Sequence, residues 1–98
     1  MLSALKNIWK SVPSPSYYIK IIPPAQKDLE KLQPKIFRTI KNKIIKLADN
    51  PRLYDAVKLT NEEGYRIRIG NYRVLYRIDD KLKEIFIYRV KHRKEAYR

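Results

Sequence analysis

Between residues 17 and 90 the apolar positions change period twice, and each change marks an element. Tyr17-Tyr18-Ile19-Lys20-Ile21-Ile22 is dense in β-branched and aromatic residues and runs into Pro23-Pro24, which predicts a first strand and its end. A helix is expected next, with Pro24 in its first turn and Leu29 and Leu32 as its apolar edge up to Pro34. From Pro34, Ile36, Phe37, Ile40, Ile44, Leu47 and Ala48 recur every three or four residues, which predicts a longer amphipathic helix closed by Asp49-Asn50-Pro51. Its opposite face carries Lys35, Arg38, Lys41, Asn42 and Lys46.

After a loop holding Asp55, Lys58 and Leu59 the period falls to two. Tyr65-Arg66-Ile67-Arg68-Ile69 alternates, Gly70-Asn71 is a two-residue turn signal, and Tyr72-Arg73-Val74-Leu75-Tyr76-Arg77-Ile78 alternates again. Asp79-Asp80-Lys81 predicts a second turn, and Glu84 to Val90 a last strand, apolar on both faces as a central strand is. The order β-α-α-β-β-β implies an α+β domain over residues 17–98: a helical hairpin packed on one face of a small, mostly antiparallel four-stranded sheet. Residues 1–16 read as a separate N-terminal extension, a short helix at Leu2, Leu5, Ile8, Trp9 and Val12 followed by the linker Pro13-Ser14-Pro15-Ser16.

Composition narrows the function classes. The 98 residues carry 23 Lys+Arg against 10 Asp+Glu, a formal charge of +13, and 44% are hydrophobic. A charge this large opposes compaction unless a polyanion or an acidic partner neutralises it, and nucleic acid leads that class. With no cysteine and one histidine, a thiolate or imidazole metal site is not expected, and no cofactor is implied. Apolar runs fall far short of the ~20 residues of a membrane span, and no signal core follows the start, so a cytoplasmic protein without a membrane role is expected.

The two cations are distributed differently. Ten of the 14 lysines precede residue 64, whereas seven of the nine arginines follow it. Alternation puts Arg66 and Arg68 on the side of their strand opposite Ile67 and Ile69, and Arg73 and Arg77 opposite Val74, Tyr76 and Ile78. If the aliphatic side meets the helices, four guanidinium groups share the bare face. Like charges on adjacent strands repel, and guanidinium pairs bidentately with phosphate, so the cluster suits an anion. The tail Lys91-His92-Arg93-Lys94-Glu95-Ala96-Tyr97-Arg98 adds an imidazole, a phenol and two more arginines. Cleavage of an RNA strand by its own 2′-hydroxyl needs a base at that oxygen, cations on the phosphate and an acid at the leaving 5′-oxygen, with no metal required.

At these residues the sequence resembles the RelE family of bacterial and archaeal toxins, within the RelE/ParE superfamily. The resemblance runs from Tyr17 to Arg98 through Asn50-Pro51, Lys58-Leu59, Tyr65-Arg66-Ile67-Arg68, Gly70-Asn71-Tyr72-Arg73-Val74-Leu75-Tyr76, Val90-Lys91-His92-Arg93 and Tyr97-Arg98. It implies an endoribonuclease, an mRNA interferase that cuts messenger RNA at the ribosomal A site, blocks translation and is inhibited by a cognate antitoxin. The family's site positions fall on Arg66, Arg68, Arg73, Arg93 and Tyr97, with Lys58, Arg77, Lys91 and Arg98 as further RNA-binding residues. Relatives carry lysine where Arg66 and Arg68 stand, and arginine does not deprotonate in proteins. The general base is therefore sought at His92, Tyr97 or Asp55, in that order. Within the superfamily the alternative is a ParE-like inhibitor of DNA gyrase. Outside it, the alternative is a non-catalytic basic module that binds nucleic acid.

Overall fold

A computed structural model describes residues 17–60 and 62–96, with side chains to Lys94. The elements are β1 (Tyr18–Ile21), α1 (Pro23–Glu30), α2 (Pro34–Asp49), β2 (Val57–Lys58), β3 (Tyr65–Ile69), β4 (Tyr72–Asp79), β5 (Glu84–His92) and a terminal helical turn, α3 (Arg93–Ala96). The extension over residues 1–16, and the candidates Tyr97 and Arg98, lie outside the described residues.

Both long helices start on proline, where the missing amide proton would have no intrahelical acceptor. The Gln26 side-chain amide donates to the Ile21 carbonyl at 2.7 Å, tying the end of β1 to the first turn of α1. Ala25 and Leu29 of α1, and Ile40, Ile44, Leu47 and Ala48 of α2, are buried. All but Ala48 meet Ile67, Val74, Tyr76, Ile85, Ile87 and Val90 of the sheet in one core.

The sheet has five strands in the order β1-β5-β4-β3-β2, antiparallel except where β1 runs parallel to β5. The expected four strands are present, and β2 adds a two-residue edge opposite Tyr65 and Arg66, too short for periodicity to reveal. The strand expected to be central, β5, is second from one edge and β4 takes the middle. β5 is nevertheless flanked on both sides, which accounts for its apolar sequence.

Two details place the site. Between Leu75 and Tyr76 the register with β5 shifts, so that Leu75 faces Arg89 while Tyr76 faces Ile87. Tyr88 is the extra residue of a β-bulge. Asp28 of α1 secures this bulge: its Oδ2 accepts from Arg89 Nε and from the Val90 amide, both at 2.8 Å. The loop before β3 lies close on β4 at Gly64, where φ is +116° and an added Cβ would come 2.7 Å from the Tyr76 carbonyl oxygen, so only glycine fits.

A candidate phosphate-binding arginine cleft

The helices cover one face of the sheet, and the residues opposite the buried ones form the other. Arg68, Arg73 and Lys91 stand in register across β3, β4 and β5, a row of three cations on the uncovered side. At the end of this row the Gly70-Asn71 turn joins β3 to β4 with Gly70 at φ +57°. The Asn71 carbonyl accepts from the Arg93 amide at 2.7 Å, so the chain leaving β5 is pinned to the hairpin tip as α3 begins. A cleft of about 140 Å³ results, lined by Arg68, Gly70, Asn71, Tyr72, Arg73 and Arg93.

Three guanidinium-bearing residues from three separate segments thus line one cavity, and among the described residues its lining contains no carboxylate. Guanidinium stays protonated and offers paired N–H donors in the geometry of phosphate oxygens, so a tetrahedral oxyanion is the complement of this cleft. Arg68 is exposed and Arg73 half-buried, which leaves the cleft open on the solvent side.

The remaining candidates are placed less uniformly. Arg66 shares the open face but does not line the cleft, and Arg77 lies four residues along β4 from Arg73, its guanidinium 5.9 Å from the Phe86 ring. Lys58 is exposed on the β2 edge opposite Tyr65. Asp55 does not reach the arginines: its Oδ2 pairs with Lys43 Nζ of α2 at 2.9 Å, beside a strand that joins β3 at the end away from the hairpin tip. His92 lies opposite Tyr72 in register, one position out of phase with Lys91 and so on the helix side of the sheet end. Its ring meets Tyr72 edge-on, with centroids 5.1 Å apart, and its Nδ1 accepts from the Lys94 amide at 3.2 Å. In the neutral ring that bond leaves the proton on Nε2. His92 touches Tyr72, a residue of the cleft lining, and does not itself line the cleft.

In the sequence, Gly70 and Asn71 read as a turn and Tyr72 as a strand residue. All three line the cleft, and the backbone of Asn71 recruits Arg93. Placing a turn directly between two arginine-bearing strands was the available signal.

A family model described as the ParE toxin of type II toxin–antitoxin system, parDE, matches residues 19–97. Toxin RelG of Mycobacterium tuberculosis is 33% identical over 84 residues, covering 84% of this chain and 97% of the relative. The chain belongs to the RelE/ParE superfamily of type II toxins. Its fold is the RelE fold. The RelE–RelB complex of Pyrococcus horikoshii is similar at a TM-score of 0.69 and 28% identity, over 80% of this chain and 96% of that one. The isolated RelE toxin of E. coli is similar at 0.70 and 26%, over 83% and 90%.

Proposed function

We propose that this toxin is a metal-independent endoribonuclease that cleaves messenger RNA in the ribosomal A site and is held inactive by a cognate antitoxin. The observation that carries the reading is the convergence of Arg68, Arg73 and Arg93 on one cleft. Attack of the 2′-hydroxyl builds negative charge on the phosphate oxygens, and preorganised cations stabilise that charge most where it develops. Arg73 is assigned to the scissile phosphate and Arg93 to the oxygens near the leaving group. Arg68 and Lys91 hold the flanking charge.

Since arginine cannot take a proton, proton transfer falls to the remaining candidates of the tail. His92 stands on the helix side of the sheet end with Nδ1 engaged by the chain, and is the weaker of them. Tyr97, four residues beyond Arg93, is the candidate at the 2′-hydroxyl. The ribosome supplies the alignment of the message, so proximity provides part of the rate and the protein needs little substrate binding of its own. The antitoxin is expected to be acidic and apolar where it meets this surface; the P. horikoshii relative is seen in complex with RelB.

The test is cleavage of a message on programmed ribosomes by the purified protein and by Arg73→Ala. Loss of roughly 10²-fold or more in rate, with an unchanged far-UV spectrum, is expected. Full activity of the variant would remove the assignment. A second reading, gyrase inhibition, draws support from the ParE family model. Inhibition of supercoiling by the purified protein, with ribosome-bound messages left intact, would put it first.

A further inference from the structure

Farther along the open face the cross-strand pattern changes. Arg77, Phe86 and Lys20 stand in register across β4, β5 and β1. The Arg77 guanidinium carbon lies 5.9 Å and Lys20 Nζ 5.8 Å from the centre of the Phe86 ring. Phe86 is only half-buried, a phenyl ring on a sheet face that the helices leave uncovered. Beside it opens a second, larger cleft of about 420 Å³, bordered by Phe86, Arg77 and Lys81 together with the carboxylates of Glu63, Asp79 and Asp80.

The charge balance separates this cleft from the first. Three carboxylates against two cations make a poor seat for a phosphate, whereas an aromatic ring flanked by a planar guanidinium is the surface on which unpaired bases stack. Arg73 and Arg77 are four residues apart on one strand, about 13 Å at ~3.3 Å per residue. A single RNA strand with one phosphate in the arginine cleft can reach Phe86 within a few nucleotides.

We propose that this second cleft holds one unpaired nucleobase of the RNA strand, outside the cleaved linkage, stacked on the Phe86–Arg77 pair. The proposal rests on the RNA reading above and adds a subsite that anchors the strand at a distance from the chemistry.

The test is equilibrium binding of a short single-stranded RNA, 2′-O-methylated so that it is not cut, carrying 2-aminopurine at successive positions. With the wild-type protein one position away from the cleft-bound phosphate should be quenched by stacking. Phe86→Leu, which keeps apolar bulk and removes the ring, should abolish that quenching and raise Kd roughly 5- to 100-fold, while Phe86→Tyr preserves both. Arg77→Gln should weaken binding in the same direction and serves as the second variant should Phe86→Leu fail to fold. Wild-type binding without a quenched position beyond the cleft overturns the subsite, as does wild-type-like binding and quenching by both variants. If Arg73→Ala still abolishes binding in that case, the arginine cleft stands without the subsite. A wild-type protein that neither binds this RNA nor cuts a message overturns both.

Discussion

Arg68 and Arg73 face each other across β3 and β4 as like charges, and the repulsion between them can be measured. Arg68 and Arg73 are direct cross-strand partners, so their side chains leave the sheet about 5 Å apart, and among the described residues no carboxylate lines the cleft between them. Two unit charges about 5–6 Å apart in water repel by about 0.7 kcal/mol, within the range of like-charged cross-strand pairs. Arg68→Gln removes one of the two charges and keeps a polar side chain. For a domain of this size a gain of about 0.7 kcal/mol raises Tm by about 3–5 °C. Thermal melts at low ionic strength should therefore show the variant above the wild type. In 1 M salt, where charges are screened within ~3 Å, the difference should vanish. Millimolar inorganic phosphate should raise the wild-type Tm more than the variant's, because the variant has lost part of the anion site. A variant that melts at or below the wild type at low salt, or whose gain survives 1 M salt, would refute the claim that these two arginines repel each other.

Other outcomes follow from single contacts. Tyr76 is fully buried and donates its hydroxyl to the Pro51 carbonyl at 2.7 Å, while burial pushes its phenol well above the usual range. Tyr76→Phe leaves that carbonyl without its donor and should cost about 1–3 kcal/mol in urea unfolding. Asp80 receives a bidentate pair from Arg52 and the Tyr17 hydroxyl, which together hold its carboxyl at about 2, below the ordinary 3.8. A carboxyl depressed in the folded state stabilises above its unfolded pKa and loses that contribution as pH falls toward its folded one. The Tm gap between the wild type and Asp80→Asn should accordingly be full at pH 6 and shrink between pH 4 and pH 2. Asp28→Ala removes the acceptor shared by Arg89 and the Val90 amide, and should lower both Tm and message cleavage by loosening the bulge that sets where β5 delivers Arg93.

Much of this architecture is legible in the sequence because the strands alternate strictly. Ile67, Val74 and Tyr76 are buried, and Arg66, Arg68, Arg73 and Arg77 stand on the other side, as period two requires. The helix pattern is equally direct, with Ile40, Ile44, Leu47 and Ala48 buried and Lys35, Arg38, Asn42 and Lys46 exposed. What stayed hidden depends on contacts distant in the chain. Ile85 and Ile87 face the core, but so does Val90, because one residue is inserted at the bulge and parity flips. His92 therefore follows Val90 to the helix side, while Lys91 joins Arg73. Nothing local to Tyr88-Arg89-Val90 announces this, since the carboxylate that secures the bulge comes from Asp28, 61 residues before Arg89. The same holds for Arg93, which reaches the cleft through a backbone bond to Asn71, and for Asp55, drawn to Lys43.

The central claim is that arginines from β3, β4 and the chain beyond β5 hold one phosphodiester while its own 2′-hydroxyl attacks. The most direct measurement maps the ends left on a ribosome-bound message cut by the purified toxin in the presence of EDTA. A 2′,3′-cyclic or 3′-phosphate on one fragment and a 5′-hydroxyl on the other are expected, with neither end formed by Arg73→Ala. Fragments bearing 5′-phosphates, or a message left whole at saturating toxin, would contradict it.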